Sequence, residues 1–520
     1  MAADHVVVAD TDRLGPGSVR VEAEAPAARG LSAGWLANRP RPVLVGVAAG
    51  AVALAAGALA PVKPLDALAV LLAALIVAAV LLRPIVGAVL LVTMVPLTAG
   101  LASGLPVPHL RISEILIAVV GLTLILFAKR RHAAPWGTLD WALLAYGLCW
   151  AAFGAYAAVT LREHLTLDDW GTIVGQLQFL LVYRGVRIAV HSRLERRIVV
   201  GAAVLACIPM AVLAILQEIR MPGVAQLVVR LTGGVTAGSA QSTGSLLRAT
   251  GAFQNWASLA GYLLPIVLVL VALAVARTEV RGRRWFVAAG LLAAMALVLT
   301  IEQSVILCAL VAVAVIVRRL DESGRLTKWL VAGVVVVVLL AAPYLIERLV
   351  SEVGGAAGTG RVGWVPQTLS FRWSVWTKQY LPAIGARPLS GYGVVLPSSI
   401  QWPFPESQYV AFLVEGGIPM LVMFVVLAWA MLSATASAAR SADPFDRALG
   451  LALTGSVVTM LVVNVIWPFL SNGGLPQVLW GLMAVTVPYG VRASSSVRAG
   501  WATAGTDPGV GESLLQGALS

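Results

Sequence analysis

The residues with the most chemistry in them are two acids in the stretch WPFPESQYVAFLVEGGIP (402–419). Glu406 and Glu415 sit where a Pro-rich segment turns into an apolar run. A carboxylate at the middle of a bilayer costs at least a few kcal/mol, so it needs a reason to be there. With a helix starting near Glu406, Glu415 lies nine residues on, about 13 Å deeper at 1.5 Å per residue. The spacing places Glu406 at the mouth of the span and Glu415 near its middle. There it is read as a brace paired with an arginine such as Arg184. Two and a half turns separate them, so they point to nearly opposite faces and do not act as a pair.

The second set is arginine. Arg220, Arg230 and Arg248 share the segment 217–255 with Glu218, and Arg348, Arg361, Arg372, Lys378 and Arg387 share the segment 346–405. A guanidinium is planar, always charged and matched to two-point contacts with phosphate oxygens. A membrane-embedded anion is therefore the expected partner. Loops this long are usually functional or disordered, and Trp364, Trp373, Trp376 and Trp402 argue against disorder. The stretch LSFRWSVWTKQYLPAIG (369–385) reads as an amphipathic helix with Phe371, Val375, Trp376 and Tyr380 on one face and Arg372 and Lys378 elsewhere.

The elements that must position these groups are membrane spans. Of 520 residues 59% are apolar and 12% charged, and apolar runs long enough to cross the hydrocarbon core recur from Val43 to Gly490. The expectation is an all-α polytopic membrane protein of about fourteen spans. They fall at 43–60, 67–82, 84–101, 112–128, 139–159, 171–190, 198–216, 256–276, 286–300, 304–317, 329–345, 409–431, 448–466 and 477–490. One large, partly helical extracytoplasmic loop (346–405) precedes the last three. Residues 1–42 and 491–520 read as disordered cytoplasmic tails.

The net charge of +12 follows topology. With the N-terminus cytoplasmic, the inner segments hold 24 Lys/Arg and the outer ones 11, as the positive-inside rule requires, so both termini are placed inside. Clusters such as KRRH (129–132) and RTEVRGRRW (277–285) serve that rule, and nucleic acid is not an expected partner. Cys149, Cys207 and Cys308 lie apart in apolar runs and read as small core residues. The chain has no Walker loop, no dinucleotide-binding glycine motif, no H-E-x-x-H and no G-x-S-x-G, so neither a metal site nor a cofactor is expected.

Three stretches in order carry a resemblance. RATGAFQNWASLAGYLLP (248–265) is similar to the segment of the O-antigen ligase and O-antigen polymerase family in which an Arg and G-x-F-x-N-P-N precede a span. FRWSVWTKQYLPAIGARPLSGYGVVLP (371–397) resembles the family's outer-loop pattern of Arg, Trp and Pro-Leu-x-Gly-x-Gly. ESQYVAFLVEGGIPM (406–420) resembles its H-N-x-Y-L-x-x-L-x-E-x-G-I-x-G re-entry. The resemblance covers about 248–432 and implies transfer of a glycan from a polyprenyl diphosphate carrier to an acceptor hydroxyl at the outer face of the bacterial cytoplasmic membrane. The acceptor would be a glycan, lipid or protein, with membrane lipids around the site. It implies Arg248 and Arg372 on the diphosphate and Glu406 as base; Arg361, Asn255, Trp376, Tyr409, Glu415 and Arg184 are the expected substrate-binding residues. The sequence departs from the pattern at Glu406 and Ser407, where ligases carry His and Asn, and at Trp256 and Ala257. A carboxylate can replace a histidine base if it is within hydrogen-bond reach. Two other readings remain: a transporter or flippase of lipid-linked glycans, and a different polyprenyl-dependent glycosyltransferase using Asp168 and Asp169.

Overall fold

A computed structural model describes residues 64–103, 110–127, 135–161, 165–233, 248–276, 283–321, 367–471 and 473–486, with Gly324, Lys328 and Ile346. The expected spans at 43–60 and 329–345, both tails and Arg361 lie outside the described residues.

Among the described residues every regular element is helical. In chain order these are α1 (Pro64–Leu82), α2 (Pro84–Thr98), α3 (Ile112–Phe127), α4 (Thr138–Leu161), α5 (Leu167–Gly175), α6 (Leu177–Ala189), α7 (Arg193–Leu205), α8 (Cys207–Glu218) and α9 (Val224–Thr232). They continue with α10 (Trp256–Val275), α11 (Arg283–Leu299), α12 (Gln303–Leu320), α13 (367–386), α14 (Gln408–Ala439), α15 (Pro444–Val463) and α16 (Leu475–Thr486). Among the described residues six helical stretches are long and apolar enough to cross a membrane: α4, α7 with α8, α10, α12, α14 and α15.

The helix α10 is the axis of the bundle, apolar on every side and buried along nearly its whole length, as a helix without a polar face must be. The peripheral helices turn apolar rows outward: Leu68, Leu72 and Leu75 on α1, Leu307, Val311 and Val315 on α12, and Val422, Val425 and Trp429 on α14 are all exposed. Rows of this kind are a liability in water and need no partner among lipid chains. The protein is embedded in a membrane through these helices.

The bundle has two chemically different ends. At one, Asp443 caps α15 by accepting from the backbone N–H groups of Phe445 and Asp446. There Arg193 reaches Asp443 at 3.1 Å and Arg196 reaches Asp446 at 2.6 Å. At the other, the C-terminus of α15 meets the start of α14, where the Gln408 N–H donates to the Asn464 carbonyl at 2.8 Å. The 20 residues of α15 span about 30 Å between the two. Segments before and after the expected outer loops collect at the Asn464 end. Gln217 bonds to Thr250 and Gly251, Ala102 donates to Leu231, and Gln408 bonds to Ser471.

Candidate functional site

The helix α13 is built in three pieces, Gln367–Val375, a widened π turn at Trp376–Tyr380, and Leu381–Ala386. Pro382 explains the widening, because its ring clashes with the carbonyl four residues back and offers no N–H. Turns of this kind recur at functional sites. Val375 and Tyr380 are buried in a small core of their own with Ala383, Ile400 and Val414.

Arg372 lies four residues before Trp376 and eight before Tyr380, and therefore on their face of the helix. The sequence reading put Arg372 elsewhere and Phe371 on the core face. Phe371 is instead exposed, meeting Trp402 edge-on. From its inner face α13 straps down the segment before α14. The Trp376 indole N–H donates to the Pro405 carbonyl at 2.7 Å, and the Tyr380 hydroxyl donates to the Trp402 carbonyl at 2.8 Å. Gln379 Oε1 accepts from the backbone N–H groups of Gln401 and Trp402.

The strap delivers Glu406 beneath Arg372. Arg372 Nε donates to Glu406 Oε2 at 3.2 Å, and Trp402 Nε1 donates to Glu406 Oε1 at 3.3 Å. Glu406 is buried, and its φ of 54° is left-handed. Non-glycine residues rarely adopt that conformation, and it persists only where the surroundings enforce it. Tyr380 is part of the same enclosure. Its burial, then the charges of Glu415 and Glu406, push its phenol well above the usual value.

Arg248 forms a second cluster. Its guanidinium stacks over the Trp256 ring at 4.6 Å, a favourable cation–π geometry. The Trp256 indole N–H donates to Glu302 Oε2 at 3.1 Å, and the Ser304 hydroxyl donates to Glu302 Oε1 at 2.7 Å. The two clusters meet through the corner after α15. Trp256 packs on Trp467, with ring centroids 6.2 Å apart, and the Asn464 carbonyl accepts from Ser407 Oγ and Gln408 N. Arg248 and Arg372 thus share one end of the bundle, each with its own aromatic and carboxylate neighbours.

Other expected site residues are placed differently. Arg184 is at the opposite end, buried with Arg187 on the two oxygens of Asp140. The reason is register. Arg184 and Arg187 fall in the last turns of α6, opposite the first turn of α4, whereas Glu415 lies toward the Asn464 end. The expected Arg184–Glu415 pair does not form, and Glu415 Oε2 is buried without a hydrogen-bond partner. Tyr409 turns its hydroxyl onto the Leu461 carbonyl at 2.7 Å and ties α14 to α15. Asn255 caps α10 by accepting from Ser258 N at 2.8 Å, as this residue type does at helix starts. Asp169 closes a capping box with Thr166 at the start of α5. The groups that sequence reasoning missed are Glu302, Trp402, Gln379 and Asn464. Glu302 carries a signal in hindsight, an acid in the short gap between two expected spans.

The glycines of the re-entry stretch break α14 at Gly417, where φ is 66° and ψ is −164°. The stretch 388–393 docks on the break with three backbone bonds of 2.8 Å, Tyr392 N to Val414 O, Gly393 N to Glu415 O and Ile418 N to Pro388 O. These satisfy polar groups that a continuous helix would have satisfied itself. A Cβ on Gly417 would lie 2.5 Å from the Pro388 carbonyl oxygen, and one on Gly391 2.5 Å from the Glu415 backbone. The paired P-L-S-G-Y-G and E-G-G-I-P stretches are thus one structural unit.

Among the described residues no three His, Cys, Asp or Glu side chains gather, so no metal ligands are assigned. Compared with known proteins, the chain matches no protein-family model and no curated protein.

Proposed function

We propose that this protein transfers a glycan from a polyprenyl diphosphate carrier to an acceptor hydroxyl, as an envelope polysaccharide ligase or polymerase of the bacterial cytoplasmic membrane. Its Asn464 end faces outward, its fourteen spans follow the positive-inside rule, and both termini are cytoplasmic. The observation that carries the reading is Arg372, held half-buried against a strained Glu406, at the same end of the bundle as Arg248 on Trp256. The two guanidiniums bind the diphosphate and take up its charge as it leaves. Preorganised charge of this kind is usually the largest catalytic term in such a transfer.

At rest Glu406 spends both oxygens on Arg372 and Trp402. The diphosphate competes for Arg372, which frees Glu406 Oε2. The bond between the sugar's anomeric carbon and the diphosphate oxygen then breaks, its electron pair passing to the phosphate. The acceptor oxygen bonds to that carbon, and its proton passes to Glu406. A deletion strain tests the reading. Accumulation of lipid-linked repeat units, or of full-length unattached polymer, supports it, whereas an unchanged envelope glycan profile refutes it.

The broken α14 is the one observation that favours a transporter of lipid-linked glycans, because discontinuous helices line transport sites. Reconstituted protein that moves a lipid-linked glycan across vesicles without releasing polyprenyl diphosphate decides for that alternative.

A further inference from the structure

Glu302 is an acid that the transfer step above does not use. It stands half-buried between α11 and α12, directly before α12, where an acid ordinarily caps the helix or faces its dipole. Its side chain makes no capping bond. Both oxygens are spent sideways instead, Oε2 on the Trp256 indole N–H at 3.1 Å and Oε1 on the Ser304 hydroxyl at 2.7 Å. The turn that aims it there is strained. Ile301 has a φ of 52°, a left-handed conformation that is an outlier for a β-branched residue and persists only where the surroundings hold it. The Ile301 N–H donates to the Val298 carbonyl at 3.0 Å and the Glu302 N–H to Thr300 Oγ1 at 3.3 Å, which fixes the turn.

The same corner holds Arg248. The Ala249 N–H donates to the Leu299 carbonyl at 3.1 Å, which ties the arginine's segment to the end of α11. From the other side Gln217 Oε1 accepts from the Thr250 and Gly251 N–H groups. Trp256 joins the two charged residues, because its face carries the Arg248 guanidinium at 4.6 Å and its edge carries Glu302. A cation is attracted over the face of an aromatic ring, so the plane of the indole decides where the guanidinium is held. The bond to Glu302 and the packing of Trp467 on Trp256 decide that plane. Arg372 is held differently, by a direct bond of 3.2 Å to Glu406.

We propose that Glu302 is a positioning residue for diphosphate recognition: through the Trp256 indole it fixes the Arg248 guanidinium where that group meets the diphosphate. The proposal rests on the glycan-transfer reading. What Glu302 contributes is a hydrogen-bond acceptor and not its charge, because a negative charge at this corner would by itself repel the diphosphate. The two effects have opposite signs, so binding measurements separate them.

The test measures the affinity of the full chain in nanodiscs for polyprenyl diphosphate. Glu302→Ala should weaken binding about tenfold, the scale of a lost cation–π contact in a partly desolvated place. Glu302→Gln keeps an acceptor for the indole and should bind within about threefold of wild type. In an Arg248→Ala background, Glu302→Ala should cost less than about twofold more, since the group it positions is already gone. Trp256→Phe keeps the ring and removes the donor; it should weaken binding as Glu302→Ala does, and it carries the test should that variant fail to fold. Affinity that is unchanged or tighter in Glu302→Ala, that is equally weak in Glu302→Gln, or whose loss adds in full to that of Arg248→Ala overturns the positioning role and leaves the diphosphate reading intact. A wild-type chain that binds no polyprenyl diphosphate overturns that reading, and the proposal with it.

Discussion

Replacing Gly417 with alanine is the sharpest test of how the site is assembled. The backbone there has φ 66° and ψ −164°, a region open almost solely to glycine, and a side chain in it costs about 1–3 kcal/mol. The added Cβ would also stand 2.5 Å from Pro388 O and 2.7 Å from Leu389 C. Both are backbone atoms that can yield only by moving the docked stretch. Three backbone bonds hold that stretch, at about 1 kcal/mol each net. The local cost is therefore about 4–6 kcal/mol, taken up by releasing 388–393 from α14. Each 1.4 kcal/mol is about a factor of ten, so amide hydrogen exchange at Tyr392, Gly393 and Ile418 should accelerate at least about a hundredfold. Gly385→Ala is the control, because its Cβ would meet nothing within 4 Å inside a helical turn. There alanine should be neutral or stabilise by up to about 1 kcal/mol. Unchanged exchange at the three amides in Gly417→Ala would refute the docking argument.

Three further outcomes follow from the described contacts. Arg372→Ala should reduce glycan transfer by about 10²–10³, the range for losing one preorganised donor at a developing anion. Arg372→Lys should recover little, since an ammonium lacks the two-point fork; a lysine variant with wild-type turnover counts against diphosphate recognition. Asp140→Asn removes the carboxylate shared by buried Arg184 and Arg187 and should cost about 3–5 kcal/mol of stability, read as a lower thermal midpoint; an unshifted midpoint would show that the triad is not structural. The folded chain holds the Tyr380 proton more tightly than the ordinary value of 10.0. Its stabilising contribution is thus complete below about pH 10 and is lost as the pH rises further. Tyr380→Phe should flatten that alkaline loss in thermal denaturation, and identical pH profiles would contradict it.

Local features were legible in the sequence and long-range pairings were not. Apolar runs placed α10, α12 and α15 to within a few residues, because a helix in lipid must be apolar along its length. Gly416, Gly417 and Pro419 are helix-breaking residue types, and the break in α14 falls among them. The sequence could not say that Pro388 to Gly393 would fill that break, since backbone pairing leaves no mark on side-chain type. The reading of Arg184 failed for the opposite reason. Its partner Asp140 stands 44 residues earlier at a helix start, and no local pattern links a helix end to a particular acid. The four-residue step from Arg372 to Trp376, and not the apolar character of Phe371, marks the face that α13 turns to the segment before α14. The role of Glu406 depends on a left-handed backbone that only the strap of Trp376, Gln379 and Tyr380 reveals.

The most direct measurement is turnover of purified protein in nanodiscs given a polyprenyl-diphosphate-linked glycan, with released polyprenyl diphosphate and acceptor-bound glycan quantified by mass spectrometry. The account predicts both products in equal amounts from the wild-type chain and a loss of both in Arg372→Ala and in Arg248→Ala. Wild-type protein that releases neither, or arginine variants that release both at the wild-type rate, would contradict it.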